Sequence, residues 1–304
     1  MKKSLLLLGV AVAAITSCTN DEVLDINKNT TIGFDSFVNK GTRAANTTEA
    51  NLAKFQVWGG YETKTDVFAG KVVTKSGGVW SYTDPVAWTG NDYKFAACAT
   101  GTTDEVSGVS FDFASGALTV TDYKVNQAHD LVAAVTTVDN TSLSNAPVNL
   151  NFQHMLSKVK FAIKNNSTEN LSMSVSDITF TVKDQATATF NGTAAWNNYT
   201  ASTTTITVPG TSVNVAKGET FTSADFLVMP QDDMSGVTAT FTVQFYNGST
   251  PFGAPQPYNA VSMGGTAWTP GYIYTYTAAP GAAMPFIQFG VNSVAGWESA
   301  SQGL

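Results

Sequence analysis

The sequence has few of the residues that usually build enzyme centres, with two histidines and two cysteines among 304 residues. Neither histidine stands in a paired metal-ligand spacing such as HExxH, and the chain contains no CxxC pair. It also lacks a phosphate-binding loop, a dinucleotide glycine fingerprint and a GxSxG elbow. His129 and His154 are therefore predicted to be hydrogen-bonded structural residues. We predict a protein that is not an enzyme and has no metal and no cofactor, although 23 acidic residues leave a carboxylate-pair glycosidase as a further alternative.

Charged residues are also scarce, at 13% of the chain, which is about half the usual share. The formal net charge is −7, and removal of residues 1–17 would take away two lysines and make it −9. This acidic balance argues against nucleic acid as a partner. Uncharged Thr, Ser, Asn and Gly are abundant instead, which suits the polar faces of β-sheets.

The chain has one long apolar run, which follows two lysines at the N-terminus and ends at Ile15. The run is too short for an ordinary transmembrane helix and has the layout of a secretory signal. Its end, Ile-Thr-Ser-Cys, resembles the lipobox of bacterial lipoproteins, which implies that residues 1–17 are a signal peptide and that Cys18 is acylated. An unprocessed N-terminal membrane helix is the alternative. Acylation of Cys18 would leave Cys98 as the only thiol, so no disulfide within the chain is expected.

The residues after Cys18, TNDEVLDINKNT, are polar and acidic. They resemble the export signals that direct some lipoproteins to the outer face of the outer membrane. A plain flexible linker is the alternative. We predict a precursor anchored in outer-membrane lipid through Cys18 and displayed at the cell surface.

Hydrophobic periodicity after the signal peptide is that of short strands, with no sustained helical period. Runs rich in Val, Phe, Tyr, Ile and Thr alternate with Gly, Asn, Asp and Pro clusters, which predicts an all-β sandwich or barrel. Segments such as VNLNF and KVKFAIK alternate cleanly, so one face of each strand is expected to be buried. The polar stretch VDNTSLSNAP predicts a boundary near Pro147, with an N-terminal domain over residues 44–146 and a C-terminal domain over residues 147–304.

Several phrases follow one another in a fixed order over nearly the whole chain. They are TTIGFDSF, the step from Thr42 to Ala44, KFQVWG, HDLVAA, VNLNFQHMLSKVKFAIKN, FLVMPQ and WTPGYIYTYT, with Trp297 beyond them. In this order, and with a lipobox ahead of them, they resemble the fimbrillin-like family, also called type V pilins, of anaerobic Gram-negative bacteria. The phrase around His154 carries the resemblance most specifically. Family membership implies two tandem β-sandwich domains of transthyretin-like build and a role as a subunit of a cell-surface fimbria, or pilus, that serves adhesion.

The resemblance also implies partners. These are other copies of the chain or related pilins, a trypsin-like processing protease, and a host or bacterial receptor that the sequence does not identify. The family contains stalk, tip and anchor subunits. About thirty residues beyond Tyr276, with an alternating segment near their end, favour a stalk subunit because a segment of that length suffices to fill a groove.

Assembly by donor strands is what the family resemblance implies for such a subunit. A domain that lacks one strand exposes an apolar groove, and a neighbour's strand fills it. Cleavage between Arg43 and Ala44 would release residues 18–43, a lipidated pro-segment that includes the first strand. That displaced first strand is predicted to contain three apolar residues, Ile32, Phe34 and Phe37. The alternative is that Arg43 is an ordinary loop arginine.

The predicted donor is the segment FIQFGV near the C-terminus. Ile287, Phe289 and Val291 alternate along it, which would put all three side chains on one face of a strand. The alternative is that they belong to the last core strand of their own domain.

A monomeric, surface glycan-binding lipoprotein is the alternative from another functional class. Exposed aromatic side chains would stack on sugar rings in such a protein. The candidates are Trp80, Trp88, Trp196, Trp268 and Trp297. Most of these are expected in the core. Ladders that resist SDS after cleavage at Arg43 would distinguish a pilin from this alternative.

Overall fold

The computed structural model describes residues 31–38, 51–139, 146–210, 212–282 and 287–297. These ranges contain strands and no helix, so the all-β prediction is confirmed, and no helix that could cross a membrane occurs among them. The first nine strands are β1 (Phe34–Val38), β2 (Lys54–Tyr61), β3 (Lys64–Ser76), β4 (Val79–Ser81), β5 (Tyr93–Ala99), β6 (Val109–Asp112), β7 (Ala117–Lys124), β8 (Val132–Val138) and β9 (Val148–His154). The remaining strands are β10 (Ser157–Lys164), β11 (Ser172–Lys183), β12 (Gln185–Phe190), β13 (Ala194–Asn197), β14 (Thr203–Thr207), β15 (Ser212–Val215), β16 (Thr220–Thr222), β17 (Phe226–Val228), β18 (Thr238–Asn247), β19 (Thr250–Ser262), β20 (Tyr272–Ala278) and β21 (Gly290–Gly296).

The largest sheet has seven strands in the order β1-β9-β8-β5-β2-β3-β4. Its central strand β5 has the sequence YKFAACA and is buried on both faces. Tyr93, Phe95 and Ala97 belong to a core on one face, whereas Ala96 and Cys98 belong to a second core on the other. A strand between two cores reads as a nearly continuous apolar run, which explains why this segment does not alternate.

Two five-stranded sheets make up most of the C-terminal half. One has the order β16-β10-β20-β21, with β17 also paired to β10, and the other has the order β14-β11-β18-β19, with β15 also paired to β11. Both sheets bury side chains in one core, to which Phe161 of β10, Phe180 of β11, Phe241 of β18 and Tyr276 of β20 belong. The alternation predicted for KVKFAIK holds from Val159 onwards: Val159, Phe161 and Ile163 are buried, whereas the residues between them are partly exposed. Lys158 departs from it, because this lysine is buried.

A four-stranded sheet joins the two halves of the chain. Its order is β13-β12-β7-β6, so it contains two strands from each side of Pro147, and β7 pairs with β12 across that point. Its side chains pack with the outer face of β5 in the second core, where Leu118 and Phe190 meet Cys98. Burial raises the pKa of the Cys98 thiol well above its ordinary value, so this cysteine is neutral.

The predicted boundary near Pro147 does not coincide with a change of sheet. Strand β9 starts at Val148, yet it pairs with β8, with Val132 opposite His154, and so belongs to the seven-stranded sheet. The first core accordingly contains the inward side chains of β9. The division of the chain into units at residue 147 and the tandem transthyretin-like arrangement remain predictions.

Candidate subunit-assembly site

Strand β1 forms one end of the seven-stranded sheet and pairs with β9 in parallel. The register runs from Phe34 opposite Val148 to Val38 opposite Phe152. The two strands are far apart in sequence, so their pairing is a tertiary contact and not a hairpin. Removal of β1 would therefore leave β9 as an edge strand with unpaired backbone groups, which is a template for another strand.

Side chains on alternate positions of this segment fill the first core. Ile32, Phe34 and Val38 are all buried there. Four aromatic rings surround Phe34 in edge-on arrangements, with centroid separations of 5.4 Å to Phe68, 5.7 Å to Tyr82, 5.7 Å to Phe95 and 6.0 Å to Phe55. Edge-to-face pairs at such separations stabilise the fold by more than the burial of their apolar area alone would. Phe34 is therefore the main apolar anchor of β1.

Three hydrogen bonds hold the segment just before β1. The Ile32 N–H donates to the carbonyl of Val86 at 2.8 Å, and the Tyr82 hydroxyl donates to the carbonyl of Ile32 at 2.7 Å. On the other side, the Val148 N–H donates to the carbonyl of Gly33 at 2.8 Å. Burial raises the pKa of Tyr82, which keeps its hydroxyl protonated as a donor. Residues 32 and 33 are thus bonded to the start of β9 on one side and to the residues that follow β4 on the other. They connect the two ends of the seven-stranded sheet.

Ser36 is the residue of β1 whose side chain is least suited to its buried position. Its side chain is almost fully buried on the inward face, yet its hydroxyl has no hydrogen-bond partner. The Ser36 N–H donates to the neighbouring Asp35 carboxylate at 2.8 Å, but this bond does not involve the hydroxyl. A buried hydroxyl without a partner costs about 1–3 kcal/mol of stability. An apolar side chain at this place in the groove would avoid that cost.

We predict that Ser36→Ala stabilises the protein by about 1 kcal/mol, because it removes a buried polar group that has no partner. The measurement is the urea midpoint, compared with that of Ser223→Ala. Ser223 is also buried, but its hydroxyl accepts from the Phe161 N–H at 2.9 Å and donates to the carbonyl of Ala224 at 2.7 Å, so its loss should destabilise. Equal destabilisation by both variants would contradict this account of Ser36.

Two of the residues predicted for the displaced strand, Ile32 and Phe34, are buried in the first core. Ile32 precedes β1, and Phe37 lies within it opposite Asn151. The sequence prediction missed Ser36 and Val38, which a period of two counted from Phe34 would have found. The other predicted processing residues, Cys18, Arg43 and Ala44, lie outside the described residues.

The predicted donor residues pack against the core of their own chain. Ile287, Phe289 and Val291 are partly buried against the C-terminal core. The Phe289 ring lies 5.5 Å from that of Phe161, 5.6 Å from that of Phe241 and 6.1 Å from that of Tyr276. Strand β21 starts only at Gly290 and pairs with β20. This placement matches the alternative of an own-core segment, and a donor role remains a proposal.

Trp297, the last described residue, is held in a buried cluster beyond β21. Its backbone N–H donates to the carbonyl of Gly271 at 3.0 Å. Its ring centroid lies 3.9 Å from that of His154 and 4.5 Å from the Lys158 ammonium. The His154 Nδ1 lies 2.9 Å from a carboxylate oxygen of Asp130. All four of these side chains are buried, so the cluster fixes the end of β21. A hydrogen-bonded structural role for His154 stays a prediction.

The tryptophans proposed for sugar stacking fall into two groups. Trp88, Trp268 and Trp297 are buried in the cores, so they cannot serve as open platforms. Trp80 and Trp196 are partly exposed. The part of the chain that the structure describes has no group of three or more His, Cys, Asp or Glu side chains that could hold a metal ion.

Solved structures with a similar fold cover most of the chain. A fimbrial protein from Bacteroides vulgatus is 14% identical, with a TM-score of 0.59 over 88% of this chain and 100% of that one. Candidate cell adhesion proteins from Bacteroides eggerthii and Bacteroides uniformis are 13% and 17% identical, with TM-scores of 0.51 and 0.50 over 88% of this chain. They are covered over 97% and 98% of their own lengths. At such low identity these likenesses show the fold alone. No curated protein matches the chain.

A family model described as fimbrillin-like matches residues 42–297. The match spans strands of all four sheets, from β2 to β21. It also contains the phrase around His154, whose buried cluster joins β9, β10 and the end of β21. The chain belongs to the fimbrillin-like family.

Proposed function

We propose that the chain is a structural subunit of a cell-surface fimbria, of the stalk type, that serves adhesion. It is exported as a lipoprotein precursor anchored through Cys18, cleaved after Arg43 and joined to its neighbours by donor-strand exchange. Membership of a family of structural and adhesion proteins, not of enzymes, supports this proposal. The likeness in fold to a fimbrial protein agrees with it.

The observation that carries the proposal is the position of β1. This strand lies upstream of Arg43 in the sequence, at the end of a sheet, and pairs with a strand that is distant in sequence. Cleavage after Arg43 would break its covalent link to the rest of the chain. Its release would expose the backbone of β9 together with the pocket that holds Phe34. Such a groove is what β-augmentation requires.

The predicted donor repeats the apolar pattern of the segment that it would replace. Residues 32–36 read Ile-Gly-Phe-Asp-Ser, and residues 287–291 read Ile-Gln-Phe-Gly-Val. Isoleucine and phenylalanine stand two residues apart in both, so a parallel register would put Phe289 in the pocket of Phe34. Val291 would then take the place of Ser36, whose buried hydroxyl has no partner. The exchange of Ser36 for Val291 at this place in the groove favours binding of the donor over binding of the displaced strand.

Exchange also has a cost, because Phe289 would leave its own core. Burial of one such side chain contributes about 1.5–3 kcal/mol. That contribution is lost in one subunit and regained in the next, so only the difference between the two sites drives assembly. The backbone hydrogen bonds to β9 and the replacement of Ser36 favour the assembled state.

Another sheet edge is poorly suited to accept a strand. Strand β19 ends the sheet β14-β11-β18-β19 and contains Pro251, Pro255 and Pro257. Proline has no N–H to donate, and prolines on an edge strand block further pairing. Strand addition is therefore directed away from β19.

The proposal is tested by cleavage of the precursor with trypsin under native conditions. The first stable fragment should start at Ala44, and it should form ladders that resist SDS. The variant Arg43→Ala should stay intact at this position and remain monomeric. If a fragment that starts at Ala44 forms no ladders, the proposed polymerisation is wrong.

The donor segment is tested separately with a synthetic peptide of residues 285–293. Added to freshly cleaved protein, it should occupy the groove, slow hydrogen exchange in β9 and prevent ladders. The same peptide with Phe289→Asp is the control, because a charge in an apolar pocket is strongly disfavoured. Normal ladders in the presence of the unchanged peptide would show that another segment is the donor, without excluding a pilus subunit.

The lipid anchor gives a further prediction. Cys18→Ala should abolish incorporation of a palmitate analogue and leave the precursor unprocessed or released, because stable anchoring needs two or more acyl chains. Metabolic labelling of cells that express either form is the measurement. Equal labelling of both forms would contradict acylation of Cys18, whereas Cys98→Ala, the control, should label like the unchanged protein.

A further inference from the structure

A cavity of about 250 Å³ lies beside the isolated pairing of Gln231 with Trp268. This pairing brings together the phrases FLVMPQ and WTPG, which are far apart in the sequence. The cavity is lined by Ala194, Ala195, Trp196, Tyr199, Pro230, Gln231, Asp232, Trp268, Thr269 and Pro270. Its volume is below the range of about 300–1,000 Å³ that is typical of sites for drug-sized ligands. It therefore suits a single six-membered ring and not a long chain.

Two partly exposed aromatic rings of the cavity are held in place by hydrogen bonds. The Trp196 Nε1–H donates to the carbonyl of Met155 at 2.7 Å, and the Tyr199 hydroxyl donates to the carbonyl of Pro230 at 2.5 Å. Burial and the nearby Asp232 carboxylate raise the pKa of Tyr199 to about 12, so the phenol stays neutral. Lining side chains that are already held in one conformation lose little conformational entropy when a ligand binds.

The polar groups that line the cavity are mainly acceptors. Gln231 is 4% exposed, and its Oε1 is buried without a hydrogen-bond partner. Asp232 adds an exposed carboxylate, and Thr269 adds a hydroxyl. The Tyr199 hydroxyl already donates its proton, so its oxygen can accept as well. The Gln231 oxygen is not accessible, so the acceptors open to a ligand are those of Asp232, Thr269 and Tyr199.

We propose that this cavity binds one neutral hexose unit of a glycan. A pyranose ring has an apolar face that packs on an aromatic ring and a rim of hydroxyl groups that donate to acceptors. Trp196, which is partly exposed, provides the first element, and the exposed side chains of Asp232 and Thr269 provide the second. The site lies in the folded subunit and uses neither β1 nor the donor segment, so it is independent of the proposed strand exchange.

The charge of the site selects against acidic sugars. Asp232 is a lining residue, whereas none of the lining side chains is cationic. The Lys183 ammonium lies outside the lining, 5.2 Å from the centroid of the Tyr199 ring, so Asp232 is the charged group nearest to a ligand and disfavours a carboxylate or sulfate. No candidate metal cluster occurs in the described part of the chain, so binding should not require calcium and should survive EDTA. A ligand that ends in an ammonium group is the competing chemistry for an acceptor-rich cavity, and the test below includes it.

The test is nuclear magnetic resonance on the purified chain with its tryptophan indoles labelled. The methyl glycosides of glucose, galactose and mannose are titrated in turn, and N-acetyl-lysine amide serves as the ammonium probe. At least one hexoside should shift the Trp196 indole signal and show saturation transfer from the protein, in the presence of EDTA. The absence of any shift with all three hexosides would overturn the proposal, and so would binding of the lysine probe alone.

Two variants locate the site. Asp232→Asn keeps the shape of an exposed side chain and should weaken hexoside binding about threefold to tenfold, because a neutral amide oxygen accepts a hydrogen bond more weakly than a carboxylate. Glu62→Gln, in the turn between β2 and β3, removes the same charge at a distance and should leave binding unchanged. Equal binding by wild type and Asp232→Asn would place the sugar elsewhere and overturn the assignment.

Discussion

Phe34→Ala is expected to lower the free energy of unfolding by about 3–5 kcal/mol, the usual loss when a buried phenylalanine is cut back to alanine. The ring lies among four other aromatic side chains, and β1 is a short strand at the end of its sheet. The cavity would therefore be relieved most easily by detachment of β1. Urea unfolding measures the total loss, and hydrogen exchange in β9 measures the local opening.

The matched control for this variant is Phe252→Ala, which removes the same side chain from a site that is 41% exposed. We expect the free energy of unfolding of the control to change by at most about 0.5 kcal/mol. Faster exchange of the β9 amides in Phe34→Ala, but not in the control, is the specific sign of a loosened β1. A loss below about 1 kcal/mol with unchanged exchange in β9 would show that Phe34 is not the anchor of the strand.

Trp297→Ala is the second variant with a large expected effect, a loss of about 3–5 kcal/mol in the free energy of unfolding. The indole packs on His154 and under the Lys158 ammonium, and both partners are buried. Its removal would leave a buried cation without its aromatic neighbour at the point where the end of β21 is fixed. We expect β21 to separate from β20 before the rest of the protein unfolds.

Val294→Ala, within β21, is the control, because Val294 is 47% exposed and lies outside the buried cluster. Hydrogen exchange in β20 should rise strongly in Trp297→Ala and hardly at all in Val294→Ala. If β21 contains part of the donor segment, the Trp297 variant should also form ladders faster after cleavage. Unchanged exchange in β20 would show that Trp297 does not hold β21.

The strand content could be predicted from the sequence because burial on one face leaves a period of two. The alternating segment VNLNFQH became β9, and KVKFAIK became most of β10. Even the run YKFAACA, which does not alternate, was identifiable as a strand from its apolar and aromatic content. These signals are local, since each depends only on the environment of neighbouring residues in one strand.

The pairing of strands could not be predicted in the same way. Nothing in TTIGFDSF indicates that β1 lies parallel to β9, because a parallel partner is set by the fold and not by a turn. The polar stretch before Pro147 predicts a domain boundary, but it carries no signal that β9 pairs with β8 in the preceding sheet. The acceptor-rich cavity was also not predictable, since its walls come from segments that meet only in the folded chain.

The sheet shared between the two halves has a consequence for the order of folding. Strand β7 can pair with β12 only after β12 has been synthesised. In the same way, β10 can pair only when its parallel partner β20, which lies close to the C-terminus, is present. Folds that depend on such distant pairings form slowly, in milliseconds to seconds. Synthesis delivers the N-terminus first, and all strands of the seven-stranded sheet are present once β9 has been made. A nascent chain stalled before Tyr272 lacks β20 and β21, so we expect β10 and the C-terminal core to remain sensitive to protease. The C-terminal half thus acquires its native state only when synthesis is nearly finished.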